Sequence, residues 1–120
     1  MEKWGENPMD KRRELKEQYK ARKVVGGVYR IVNKENGQFL LQSTDDMQSA
    51  RNLFQFFQLT DACTLPAIRE DWKRCGKEAF ALEELEELEK KEEQTTAQFR
   101  DDLEVLLELW SEKLPVENRY

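Results

Sequence analysis

Asn36-Gly37, set between two apolar runs, constrains this chain more than any other feature of its sequence. Val28, Tyr29, Ile31 and Val32 lead into the pair, and Phe39, Leu40 and Leu41 lead away from it. β-Branched and aromatic side chains suit a pleated surface. Asn and Gly both tolerate positive φ, so the spacing predicts two short strands joined by a tight turn with both residues in that conformation. The second run is continuous rather than alternating, which predicts a strand covered on both faces by helices. Gly26-Gly27, just ahead of Val28, fits a loop hinge as well as a strand opening.

A chain of 120 residues is expected to be one domain with a real core. Charged residues make up 38% of it and the mean hydropathy is −0.90, which is polar for a globular protein. Three Trp, three Tyr and six Phe argue against wholesale disorder. No apolar run approaches the roughly 20 residues needed to span a bilayer, and no signal peptide opens the chain. The expectation is a soluble cytoplasmic protein with no membrane partner.

The chain has no His, and its only cysteines are Cys63 and Cys75. Structural zinc draws on Cys and His in sets of about four, so it is excluded, as is catalysis by a Ser-His or Cys-His pair. The two cysteines read as reduced thiols at a helix border rather than a disulfide. Any metal would have to be a hard ion held by carboxylates, Mg²⁺ or Mn²⁺. A net charge of −5 opposes tight nucleic-acid binding, which needs basic surface. That charge is unevenly spread. Residues 11–23 set Lys11, Arg12, Arg13, Lys16, Lys20, Arg22 and Lys23 against Glu14 and Glu17, whereas residues 83–93 are strongly acidic.

In chain order, Asn7-Pro8 predicts a helix start and a basic helix to about Arg22, with a thin apolar face of Met9, Leu15 and Tyr19. The organisation expected is this N-terminal helix over residues 1–23 and one domain over 24–120. After the hairpin, Thr44-Asp45-Asp46 is a cap signal, and Met47, Ala50, Phe54 and Phe57 share one face of a second helix, with Arg51 and Gln55 beside it. Leu65, Ile68, Trp72 and Cys75 predict a third, ended by Gly76. Phe99, Leu103, Leu106, Trp110 and Leu114 predict a last helix, stopped by Pro115. Between these, EAFALEELEELEKKEE at 78–93 is a helix by propensity alone.

Gly27-Val28-Tyr29 before the Asn36-Gly37 turn resembles the opening motif of the GIY-YIG nuclease family. The likeness extends from about Arg22 to Leu114 through Asp71-Trp72, Gly76, Phe80 and the acidic-aromatic stretch Asp101 to Leu114. The sequence looks especially like small stand-alone bacterial members that carry an extra N-terminal helix. The resemblance implies an α+β fold, a small antiparallel three-stranded sheet flanked by helices in the order strand, turn, strand, helix, helix, strand, helix. It makes Phe80 to about Glu86 a strand, against propensity.

The family cuts phosphodiester bonds with one divalent ion, usually Mg²⁺, a tyrosine that helps activate water, an arginine on phosphate and a glutamate on the metal. Such chemistry needs a Lewis acid, a guanidinium matched to phosphate, and an offset to developing charge. The resemblance implies Tyr29 for the tyrosine, Arg51 for the arginine (with one residue inserted after Ser43-Thr44) and Glu86 for the metal ligand. The second motif is overwritten: Leu40 stands at its tyrosine, Gln42 at its glycine, and Gln55 at the histidine that often follows the arginine. Each such group can contribute ~10²–10⁴-fold, so catalysis is expected to be lost. A binding module for nucleic acid or protein, with a protein partner or a second copy, is the first expectation. A weak Mg²⁺- or Mn²⁺-dependent endonuclease is the alternative, and a structural subunit with no site the third. The aromatics of Met47 to Leu59 exceed what one buried face needs, which points to a contact surface.

Overall fold

A computed structural model describes residues 23–120, and the expected N-terminal helix lies outside them. Strand β1 (Val25–Asn33) pairs antiparallel with β2 (Phe39–Thr44) on one edge and with β3 (Phe80–Glu89) on the other, giving the sheet order β2-β1-β3. Helix α1 (Met47–Thr60) follows β2, and the short α2 (Arg69–Cys75) precedes β3. Helix α3 (Thr96–Lys113) closes the order. The fold is therefore α+β, a small antiparallel sheet flanked by helices, as expected.

The hairpin turn differs from the expectation in two respects. Only Gly37 takes positive φ, +76°, and the loop has four residues, with the Gly37 amide bonded to the Asn33 carbonyl and the Asn33 amide to the Gln38 carbonyl. The Asn33 side chain explains the longer loop: its Oδ1 accepts from the Glu35 amide at 3.0 Å and opens the turn early. Val32 consequently faces Phe39, where a two-residue turn would set it against Leu41. A shift of two residues leaves every side chain on its expected face.

Both faces of the sheet are covered, which is why Phe39, Leu40 and Leu41 of β2 read as an unbroken apolar run. Ile31 and Leu40 face α1 and α2, where they meet Phe57, Ile68 and Trp72. Trp72 stacks on Phe80 at 5.1 Å and meets Phe54 and Phe57 edge-on. Val28, Phe39 and Leu41 face α3, meeting Leu106, Trp110 and Leu114. Helix α1 starts where Asp46 accepts from the Ser49 amide, and α3 starts with a reciprocal pair of hydrogen bonds between Thr95 and Gln98. Helix α2 is shorter than its apolar spacing predicts, beginning after Ile68. Cys63, buried just past the end of α1, and Cys75, at the end of α2, are both free thiols.

Residues 80–89 form a strand although their propensity is helical. Their leucines recur every third residue, so a regular strand would scatter them over both faces. A β-bulge breaks the alternation at Leu85: Val28 pairs with Glu86 and Tyr29 with Glu84, leaving Leu85 as the extra residue. Leu82 then packs towards α1 and α2, and Leu85 towards α3. After α3 the chain turns back along β2, where the Tyr120 amide donates to the Phe39 carbonyl at 2.9 Å. The Tyr120 hydroxyl donates to Asp71 Oδ2 at 2.6 Å and accepts from Asn33 Nδ2 at 3.2 Å, giving the fully buried Asn33 its polar partner.

Gly26 and Gly27 belong to β1 rather than to a hinge. A Cβ on Gly26 would collide with the Thr44 carbonyl oxygen, and one on Gly27 with that of Glu86. Gly27→Ala is expected to cost about 2–3 kcal/mol of unfolding free energy in urea titrations. Gly37→Ala, where the added carbon would meet only Asn118 Nδ2 at an ordinary 3.8 Å, is expected to cost about 1 kcal/mol, through its positive φ. Equal costs would show that the close approach at Gly27 is not a constraint.

Candidate functional site

On the face covered by α1, register places Tyr29 beside Glu84, and the helix brings Arg51 over the same pair of strands. Arg51 Nε donates to Glu84 Oε2 at 2.7 Å and Nη2 to Glu84 Oε1 at 2.6 Å, a two-pronged pair whose planar fork matches the carboxylate. The same Nη2 reaches Glu87 Oε1 at 3.2 Å, and Nη1 donates to Gln48 Oε1 at 3.2 Å. Arg51 is thus held by two carboxylates and an amide. Its hydrogen bond with Glu84 holds the Glu84 carboxyl below its ordinary value and raises the guanidinium above its own.

Tyr29 is half-buried and packs against the cluster of Ile31, Leu40, Phe57 and Trp72. Burial pushes its phenol above the ordinary value of 10.0. That direction makes deprotonation harder, which works against a part in activating water.

Glu86 lies elsewhere. The bulge turns both Leu85 and Glu86 to the α3 side, where Glu86 Oε1 accepts from Trp110 Nε1 at 2.9 Å. Tyr29 and Arg51 therefore each lie beside Glu84 on one face of the sheet, and Glu86 lies on the other. The carboxylates beside Arg51 are Glu84 and Glu87, three apart in sequence yet on one face because the bulge falls between them.

The residues present do not suit Mg²⁺ or Mn²⁺. Hard divalent ions take several oxygen ligands, whereas Glu86 offers one carboxylate already bonded to an indole, and Glu84 and Glu87 share a guanidinium. Among the described residues no three of His, Cys, Asp and Glu come together as a metal-holding group.

A cavity of about 270 Å³ opens beside this cluster, lined by Lys23, Val25, Asp46, Met47, Gln48, Arg51 and Glu87. Phe54, Phe56 and Phe57 are not in its wall. Phe57 is core, Phe54 packs edge-on against Trp72 at 6.3 Å, and Phe56 points to solvent at 57% exposure. Leu53 and Leu59 accompany Phe56 outward, at 45% and 83% exposed. In a chain 38% charged, α1 has a single charged residue, Arg51, and that one faces the sheet. Its outward side is uncharged.

The remaining glutamates of β3 are also engaged. Glu83 pairs with Arg30 at 3.3 Å, whose guanidinium lies over the Phe39 ring, and Glu89 lies 3.8 Å from Lys23. Among the described residues no helix is long and apolar enough to cross a membrane.

Because the Glu84 carboxyl is lowered by Arg51, the pair's stabilisation is fully present above the ordinary carboxyl value of 4.5 and is lost as pH falls through the folded value. Glu84→Gln is expected to lower Tm by a few degrees at pH 7, and its Tm should fall less than that of the unaltered chain between about pH 5 and pH 2. Parallel Tm–pH curves for the two proteins would contradict the pairing. Comparison of the chain with protein-family models, with curated proteins and with solved structures finds no match to any of them.

Proposed function

We propose that this chain is a non-cleaving domain of GIY-YIG-like fold that binds a protein partner, and that α1 supplies the contact. What carries this reading is helix α1 itself. Its one cation is bound to Glu84 and Glu87, and its outward side presents Leu53, Phe56 and Leu59 among uncharged polar residues. A phosphate approaching Arg51 would have to displace two carboxylates that already match the guanidinium. Nucleic acid would also meet an acidic strand, and the release of counterions that drives such binding needs free basic side chains. Protein interfaces have the opposite character, with charge depleted and aromatic side chains enriched at their centre.

Leu40 and Gln42, in place of a tyrosine and a glycine, support the loss of cleavage. Leu40 is buried in the core beside Ile31, so a side chain has been committed to packing where the family resemblance implies chemistry. The endonuclease alternative would require Arg51 to leave its partners and a metal to be held without a ligand group.

A nicking assay on supercoiled plasmid with Mg²⁺ or Mn²⁺ tests this, run beside Arg51→Ala and Glu86→Ala. No nicking by any of the three is expected. Nicking by the unaltered chain that disappears in Arg51→Ala would restore the endonuclease. Fluorescence anisotropy with labelled duplex and single-stranded DNA at about 0.15 M salt should give no saturation below about 100 μM. Saturation near 1 μM or tighter would move the partner from protein to nucleic acid.

A further inference from the structure

We infer that the occupant of the outward side of α1 is the same surface of a second copy of this chain, the two helices lying antiparallel about a two-fold axis at Phe56. The inference rests on the reading of α1 as a contact surface and names what fills it.

Self-pairing through a two-fold axis demands a patch complementary to itself, because each residue i that meets j is matched by j meeting i. The exposed apolar residues of α1 satisfy that demand by their spacing. Leu53 and Leu59 flank Phe56 at three residues on either side, and all three are at least 45% exposed. An antiparallel pairing centred on Phe56 sets Phe56 against its own copy and Leu53 beside Leu59 of the second copy. Asn52 and Thr60, four residues from Phe56 on each side, then oppose one another as uncharged polar groups at the rim.

Charge separates this surface from the other apolar stripe of the fold. Val105 and Leu109 of α3 are exposed at 56% and 49%, but Asp101, Glu104, Glu108 and Glu112 stand around them. Two copies of that stripe would bring carboxylates against carboxylates, and a chain of net charge −5 gains nothing from adding to that repulsion. The outward side of α1 carries no charge to repel. Antiparallel helices also align their dipoles favourably, a small gain. Three side chains from one helix fall short of the ~800 Å² per partner of a standard stable interface, so the pairing is a reversible one that grows with concentration.

Sedimentation velocity on the full chain from about 10 μM to about 1 mM reads the pairing directly. A shift from monomer towards dimer is expected for the unaltered chain, and none for Phe56→Glu. Leu59→Lys, at the most exposed of the three positions, should behave as Phe56→Glu does, so that the test stands even if one variant fails to fold by circular dichroism. Orientation is read by mild oxidation of Leu53→Cys, Leu59→Cys and an equal mixture of the two, with the unaltered chain as control for Cys63 and Cys75. The mixture should cross-link several-fold more than either variant alone.

A monomer at every concentration, a dimer unaffected by either charged variant, or cross-linking no greater in the mixture would each overturn the inference. A monomer in which a Phe56→Cys thiol is also slow to react with a soluble thiol reagent would assign the face to residues 1–22 of the same chain instead. The nicking assay is independent of these readouts. A monomer that does not nick removes the second copy and leaves the non-cleaving reading, whereas a dimer that nicks does the reverse.

Discussion

Where β1 passes between its neighbours, the backbone at Gly26 and Gly27 comes so close to the carbonyls of Thr44 and Glu86 that no side chain fits at either position. This close approach sets the rest of the fold. It draws β2 and β3 onto both edges of one strand, so that the strand's backbone groups are satisfied on both sides. Val28 and Ile31, buried on opposite faces, then create the two clusters that α3 and the α1–α2 pair cover. Phe99 of α3 and Met47 of α1 lie near the glycine pair, each against one of the two glycines. The two layers of helix are anchored at the place where the strands come closest.

The strand β3 shows what that demand can override. Its Glu- and Leu-rich sequence favours a helix by intrinsic preference, but preferences of that kind amount to at most ~0.7 kcal/mol per residue among ordinary residues. Leaving the open edge of β1 unpaired would strip the partners from several buried backbone groups, at roughly 1–3 kcal/mol each. Pairing therefore wins. The glutamates are accommodated because other elements meet them: Arg30 meets Glu83, Arg51 meets Glu84 and Glu87, and Trp110 meets Glu86. An acidic edge strand also discourages the addition of a further strand from another chain.

The architecture was largely legible in the sequence because its signals were local or periodic. The Asn36-Gly37 turn, the Asp46 cap, the Phe54 and Phe57 face, and the Phe99-to-Leu114 spacing each state their element within one or two turns of chain. The strand at 80–89 was legible only through resemblance, since neither propensity nor a period of two declares it. The candidate site was half legible. Tyr29 and Arg51 lie on one face, each beside Glu84, but which glutamates share that face depends on a single extra residue, Leu85, in the pairing of β1 with β3. Nothing local in EELEELE marks where that bulge falls. Its position is set by the register with Val28 and Tyr29, some 55 residues earlier in the chain, where the Gly27 backbone lies against the Glu86 carbonyl.

That bulge also decides what the site can do. Without it, Glu84 and Glu86 would share the face of α1 and Glu87 would turn away. With it, the carboxylates under α1 are Glu84 and Glu87, spaced so that one guanidinium reaches both. A cation between two carboxylates is a poor receptor for phosphate, and two carboxylates around a cation are a poor cage for a divalent ion, because each arrangement satisfies the charge the other chemistry needs. The same pairing draws the only charge of α1 inward and leaves its outer surface neutral. Closure of the polar site beneath the helix and the apolar character of the surface above it thus have one origin, the inward turn of Arg51.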